Sequence, residues 1–234
     1  MSTTSTDPAT ATMVSLIGSL ADNKSALGRR YGEWAVSAPT IESAVAAAAM
    51  AQDELGHARS TYPVLAKLGV QRSDEGGLDA GHPLRVIAAE LPDWASVIAA
   101  NLVVDGILTT WVASARDSAM EPLAQRARKI LQEEGAHRVH AEAWLKRICA
   151  TGGADRELLL QRIDEMWAQA ARWPGPADHP GYGAAVADSM VSEGPDEIRE
   201  RVRTWLTDRL SAAGAHAALS APTDWSDWDE RTRR

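Results

Sequence analysis

Residues 51–59 read AQDELGHAR and residues 131–140 read LQEEGAHRVH. Each stretch holds a Glu-x-x-His pair: Glu54 with His57, and Glu134 with His137. On an α-helix, residues three apart share a face, so each pair can present a carboxylate and an imidazole to one point. A single pair carries little information, because a surface Glu beside a surface His is common. Two pairs, each on the second helix of a helical hairpin, carry far more. They are the pattern of a four-helix bundle with a di-metal core, to which each remaining helix adds a carboxylate.

The flanking sequence supplies those hairpins. Helical periodicity runs from about Met13 to Val36, with Ile17, Leu20, Leu27, Tyr31 and Trp34 along one seam. Ser37-Ala38-Pro39-Thr40 breaks it, and Thr40 is a good N-cap for a second helix from Ile41 to about Leu68. Gly69 stops that helix, and Pro63 should bend its last turns. The Gly-rich connection over 69–91 lets the next helix cross to the other end of the bundle. Further helices are expected from about Pro92 to Asp117, Glu121 to Cys149, Asp155 to Arg172 and Pro195 to Ala213. The expected architecture is all-α. Residues 1–12 form a disordered lead, 13–150 a ferritin-like four-helix bundle, 151–216 a C-terminal helical extension and 217–234 an irregular tail.

The bundle allows a test. The carboxylate partner of each pair should lie as far before the interhelical turn as the pair lies after it. For the second hairpin that position is near 105, where Asp105 interrupts the apolar run ANLVVDGILTTW. A lone Asp in such a run is costly to bury without a partner. For the first hairpin the position is 24 or 25, occupied by Lys24 and Ser25. The nearest carboxylate, Asp22, lies roughly 200° around the helix from Lys24. Either Asp22 is the sixth ligand through a different register, or Lys24 takes its place as a paired ammonium, a base of lowered pKa or a neutral ligand. Thr109, Tyr31, Tyr62 and His140 are expected near the site or in the core, and Trp111 and Trp144 in the core.

Composition narrows the function classes. The 234 residues are 45% hydrophobic and carry a net charge of -8, which argues against nucleic-acid binding. Val45–Met50, the longest apolar-looking stretch, is too short to cross a bilayer, and the N-terminus lacks a signal peptide's basic and apolar regions. The single Cys149 fits a reducing cytoplasm and cannot ligate an iron–sulfur cluster, so electrons for any redox chemistry need an external reductase. No function follows from the nine Trp and absent Phe.

At these residues the chain resembles the phenylacetyl-CoA epoxidase family of bacterial multicomponent di-iron oxygenases. The resemblance covers about residues 13–150 and rests on RYGEWAVSAPT, MAQDELGHAR, LVVDGIL and ILQEEGAHRVHAEAW. It implies metal ligation by Glu54, His57, Asp105, Glu134 and His137, with the family's first-helix Glu replaced by Lys24. The Ala21-Asp22-Asn23 start is similar to that family's structural subunit, which is expected to have lost much of the site. Two readings follow. One is an oxygenase or oxidase using O2 and iron (manganese or a mixed pair being alternatives) on an organic acid or acyl-CoA substrate. The other is a non-catalytic structural subunit with a vestigial site; iron storage is a weaker third. Both of the first two imply a homodimer or a homologous helical partner.

Overall fold

The structure, a computed structural model, describes residues 7–70 and 81–234. The described residues hold helices and no strand: α1 (Pro8–Trp34), α2 (Ile41–Ala66), α3 (Arg85–Ala88), α4 (Trp94–Ala99), a π-helical segment (Ala100–Asp105), α5 (Gly106–Ser114), α6 (Glu121–Thr151), α7 (Gly153–Ala170), α8 (Pro180–Ala187) and α9 (Pro195–Ala212). The helix α4 runs through the π segment into α5. With α1, α2 and α6 it makes a ferritin-like four-helix bundle, and α7–α9 are the additional C-terminal helices.

Helix α1 begins at Pro8 rather than near Met13, so 8–12 are helical and not part of a disordered lead. The Asp7 carboxylate accepts the Thr10 amide at 3.1 Å. Pro8, which has no N–H to leave unsatisfied, opens the first turn. Residues 1–6 of the expected lead and 71–80 of the expected crossover lie outside the described residues. Helix α2 stops at Ala66, and Gly69 follows at φ 78°, where a side chain would be strained. The expected third helix starts after Pro92, because Asp93 caps α4 through the Ser96 amide at 2.7 Å. The short helices α3 and α8 were not expected. In α8, the His179 ring accepts the Tyr182 amide at 3.2 Å and turns the Pro/Gly-rich stretch into a helix.

Trp94–Ser114 is long and apolar enough to span a membrane by length and composition, longer than the Val45–Met50 run singled out above. Here 89% of it is buried among the other helices, so its apolarity serves the core. Trp34, Trp94 and Trp144 close one end of the bundle, with ring centroids 5.6 and 5.4 Å from Trp94.

Helix α1 is enclosed on two sides. Against α8 the fit is close: a Cβ on Gly181 would come within 2.7 Å of the Pro8 carbonyl oxygen. Residues 217–234 form no helix, yet they pack. Thr12 donates to Glu230 at 2.8 Å, and the buried Arg233 donates to the Trp173 and Pro174 carbonyls at 2.7 and 2.6 Å.

Candidate metal centre

The bundle places one side chain or pair from each of its four helices at a common depth. Helix α1 brings Lys24, α2 brings Glu54 and His57, the π segment brings Asp105, and α6 brings Glu134 and His137; all six are buried. The π turn ends at Asp105, and its extra residue per turn changes which face the carboxylate takes.

Lys24 Nζ sits among three carboxylates: 3.1 Å from Glu54 Oε1, 2.5 Å from Asp105 Oδ1 and 2.5 Å from Glu134 Oε1. Both imidazoles turn Nδ1 inward. His137 Nδ1 is 3.4 Å from Glu54 Oε1, 3.4 Å from Glu134 Oε2 and 3.7 Å from Asp105 Oδ2. His57 Nδ1 is 3.3 Å from Glu134 Oε1 and 3.7 Å from Glu54 Oε2. These approaches lack hydrogen-bond geometry: His57 Nδ1, His137 Nδ1 and Glu54 Oε2 are buried without a hydrogen-bond partner. Buried groups of that kind are rare in folded proteins, and here they lie in a carboxylate–histidine cluster that could hold a metal ion.

The outer nitrogens are held crosswise. His57 Nε2 meets Glu133 Oε2 at 2.8 Å, and His137 Nε2 meets Asp53 Oδ2 at 3.2 Å. Each acid stands immediately before the Glu of one motif and grips the His of the other. Such a brace fixes the ring and turns Nδ1 toward the carboxylates. Asp53 and Glu133 were missed in the sequence, although DELGH and EEGAH both announce them as an acid preceding the motif.

The electrostatics follow from burial opposed by proximity. Burial would lower Lys24, but Asp105, Glu134 and Glu54 override it and hold its ammonium well above the ordinary range. The reading of Lys24 as a base of lowered pKa is therefore replaced by that of a paired cation. Burial raises Glu54 and Glu134, but Lys24 outweighs it and both end below their usual values. Burial and the Glu134 charge push Asp105 up to about 6. Against burial, the neighbouring carboxylates raise His57 to about 9 and His137 well above its usual value. Without metal, one ammonium and two imidazolium ions balance three carboxylates.

The other candidates fall elsewhere. Asp22 is buried but points away from the cluster, accepting from Tyr62 Oη and from the His82 amide, both at 2.9 Å. It tethers the end of the connection to α1 and is not part of the cluster that could hold a metal. A Cβ on Gly81 would come within 2.9 Å of that carboxylate. Tyr62 goes with Asp22, His140 lies edge-on to Trp94, and Trp111 packs on Trp173. Thr109 donates to Asp105 Oδ1 at 3.4 Å. Tyr31 is buried with its hydroxyl unpartnered, and burial with the nearby carboxylates keeps its phenol protonated.

A cavity of 20 Å³ adjoins Asp105, Thr109 and Glu134. It is large enough for about one water. Trp205 of α9 covers it, and the Arg138 guanidinium stacks 4.3 Å from that ring's centroid.

Known proteins are similar to this chain in sequence. One component of the 1,2-phenylacetyl-CoA epoxidase of Escherichia coli (strain K12) is 27% identical over 176 residues, 73% of this chain and 57% of that protein. Another component of the same enzyme is 27% identical over 154 residues, 63% of this chain and 62% of that protein. The chain thus spans less than two thirds of either relative. The model of a family described as phenylacetic acid catabolic protein matches residues 1–234. Matched by that model from end to end, the chain belongs to the phenylacetic acid catabolic protein family.

Proposed function

We propose that this chain is the ferritin-like component of an O2-dependent oxygenase or oxidase that acts on an organic acid or acyl-CoA substrate. The observation that carries this reading is the pair of braced imidazoles whose unpartnered Nδ1 atoms face three buried carboxylates. Carboxylate and imidazole donors suit iron or manganese. Glu54, Asp105, Glu134 and His137, with His57 beside them, are the groups that would hold the metal. Bound there, the metal supplies the reaction with O2.

The protein's own groups set the conditions. Glu133 and Asp53 orient the rings, and the surrounding core leaves room for about one water. Thr109 stands at the mouth of a cavity that admits only a small molecule. An acyl-CoA does not fit there, so Trp205 and Arg138 must move or a partner protein must help to form the substrate site. Both epoxidase relatives are named as subunits, which supports a multicomponent assembly. Val36, Ile41 and Val45 are exposed around the α1–α2 turn and offer an apolar surface to a homologous helical partner or a second copy. Electrons would come from an external reductase.

One observation favours the second reading, a structural role without catalysis: Lys24 occupies the middle of the carboxylates. Anaerobic loading with Fe(II), metal analysis and measurement of O2 consumed on exposure to air separate the two. Bound iron that reacts with O2 supports the oxygenase. A folded protein that retains neither iron nor manganese is a structural component.

A further inference from the structure

We infer that the bundle takes one divalent cation and not a pair, in a four-donor position made by Glu54, Asp105, Glu134 and His137. Lys24 then serves as the permanent second cation. The inference rests on the cluster being a metal site, and it goes further by fixing how many ions that site holds and where.

The two halves of the cluster are unequal. Glu54, Asp105, Glu134 and His137 each offer a ligand atom within 4.8 Å of the others. Oxygens from three different carboxylates surround His137 Nδ1 at 3.4 to 3.7 Å. His57 Nδ1 faces oxygens from only two, Glu54 and Glu134. The group that α1 contributes is an ammonium, where a second ion would need a terminal carboxylate. That ammonium takes Glu134 Oε1, one of the two oxygens facing His57 Nδ1, and Glu54 Oε1, one of the three facing His137 Nδ1. An ion beside His57 is thus left with Glu54 Oε2 alone, while one beside His137 keeps Asp105 Oδ2 and Glu134 Oε2.

Charge leads to the same count. Three carboxylates are balanced by one ammonium and one divalent ion when both imidazoles are neutral. Two divalent ions would leave the three inner carboxylates two charges short beside an ammonium they repel, and the only further carboxylates at the site, Glu133 and Asp53, are partly exposed and lie beyond the imidazole rings. Burial of uncompensated charge is what the interior resists most strongly.

The test is an anaerobic titration of metal-free protein with Mn(II), followed by calorimetry and by electron paramagnetic resonance. The wild type should bind one equivalent tightly and show the hyperfine pattern of an isolated ion. Lys24→Glu should bind two and show a spin-coupled pair. His137→Ala should weaken the first ion at least tenfold more than His57→Ala does. Two equivalents in the wild type overturn the inference while leaving the metal site intact. Equal losses from the two His variants also overturn it. No binding by wild type or by Lys24→Glu removes the metal site itself. The wild-type stoichiometry and the His comparison decide the matter even if Lys24→Glu does not fold.

Discussion

Replacing Lys24 by Met keeps most of the side-chain length and removes the charge with the three hydrogen bonds it donates. In the metal-free protein the variant leaves Glu54, Asp105 and Glu134 buried around an apolar tip, with the two imidazoles as their remaining counter-charges. Removing one member of a buried, hydrogen-bonded ion cluster costs about 3–5 kcal/mol. For a chain of this size each kcal/mol moves the midpoint by roughly 2–4 °C, so the expected loss is roughly 6–20 °C. Asp105 limits the penalty: already raised to about 6, it takes up a proton more readily once the ammonium is gone. The deficit should therefore be largest above pH 7 and shrink toward pH 5. Thermal and urea unfolding of both proteins in EDTA, across that range, measure it. Saturating Mn(II) should narrow the gap, because the ion supplies the missing charge and binds only the folded state. A Lys24→Met midpoint within about 1 °C of wild type at neutral pH would show that the cluster does not depend on the ammonium.

Three other expectations are simpler to check. His57 rises from 6.5 to about 9 and His137 higher. The stabilisation from their protonation is full below pH 6.5 and is lost as pH climbs through 9 and beyond. The urea midpoint of the metal-free protein should fall over that window, and a flat profile contradicts the imidazolium pairing. Asp53→Asn, which loosens His137, should reduce Mn(II) affinity about 10- to 100-fold, with Glu133→Gln well behind it; calorimetry reports both, and the reverse order would place the ion beside His57. Trp205→Ala should uncover the 20 Å³ cavity and speed the loss of bound Mn(II) to EDTA, and an unchanged rate means that Trp205 is not the cover.

The site was partly legible because helical geometry is rigid. Three-residue spacing put Glu54 with His57 and Glu134 with His137, and mirrored distances from the turns pointed to Asp105 and Lys24. Asp22 was ambiguous because a helix with nearly its whole circumference buried gives no polar face by which to fix its rotation. Helix α1 is such a case: Asp22, Asn23, Lys24 and Ser25 are all buried. The π segment left no mark in ANLVVD, since the extra residue costs backbone geometry without demanding a residue type. Helix α8 was hidden by Pro and Gly, read as breakers where Pro180 is in fact a helix start. The tail's packing depends on contacts more than 200 positions apart, such as Thr12 with Glu230, which no local pattern encodes.

Those distant contacts also set a timetable for synthesis. Ala9, Met13, Leu16 and Ile17 of α1 are fully buried, and Glu230, at the far end of the described chain, binds Thr12 across 218 positions. At about 5–20 residues per second, a ribosome needs roughly 10–45 s to make what separates them. During that interval α1 can pair with α2, and Lys24 can meet Glu54, but Glu134 and the tail do not yet exist. The nascent hairpin must stay soluble with an apolar helix face open to the cell and a buried-type lysine only partly neutralised. Chaperone demand during translation should therefore fall on the first hairpin, well before any metal can be bound.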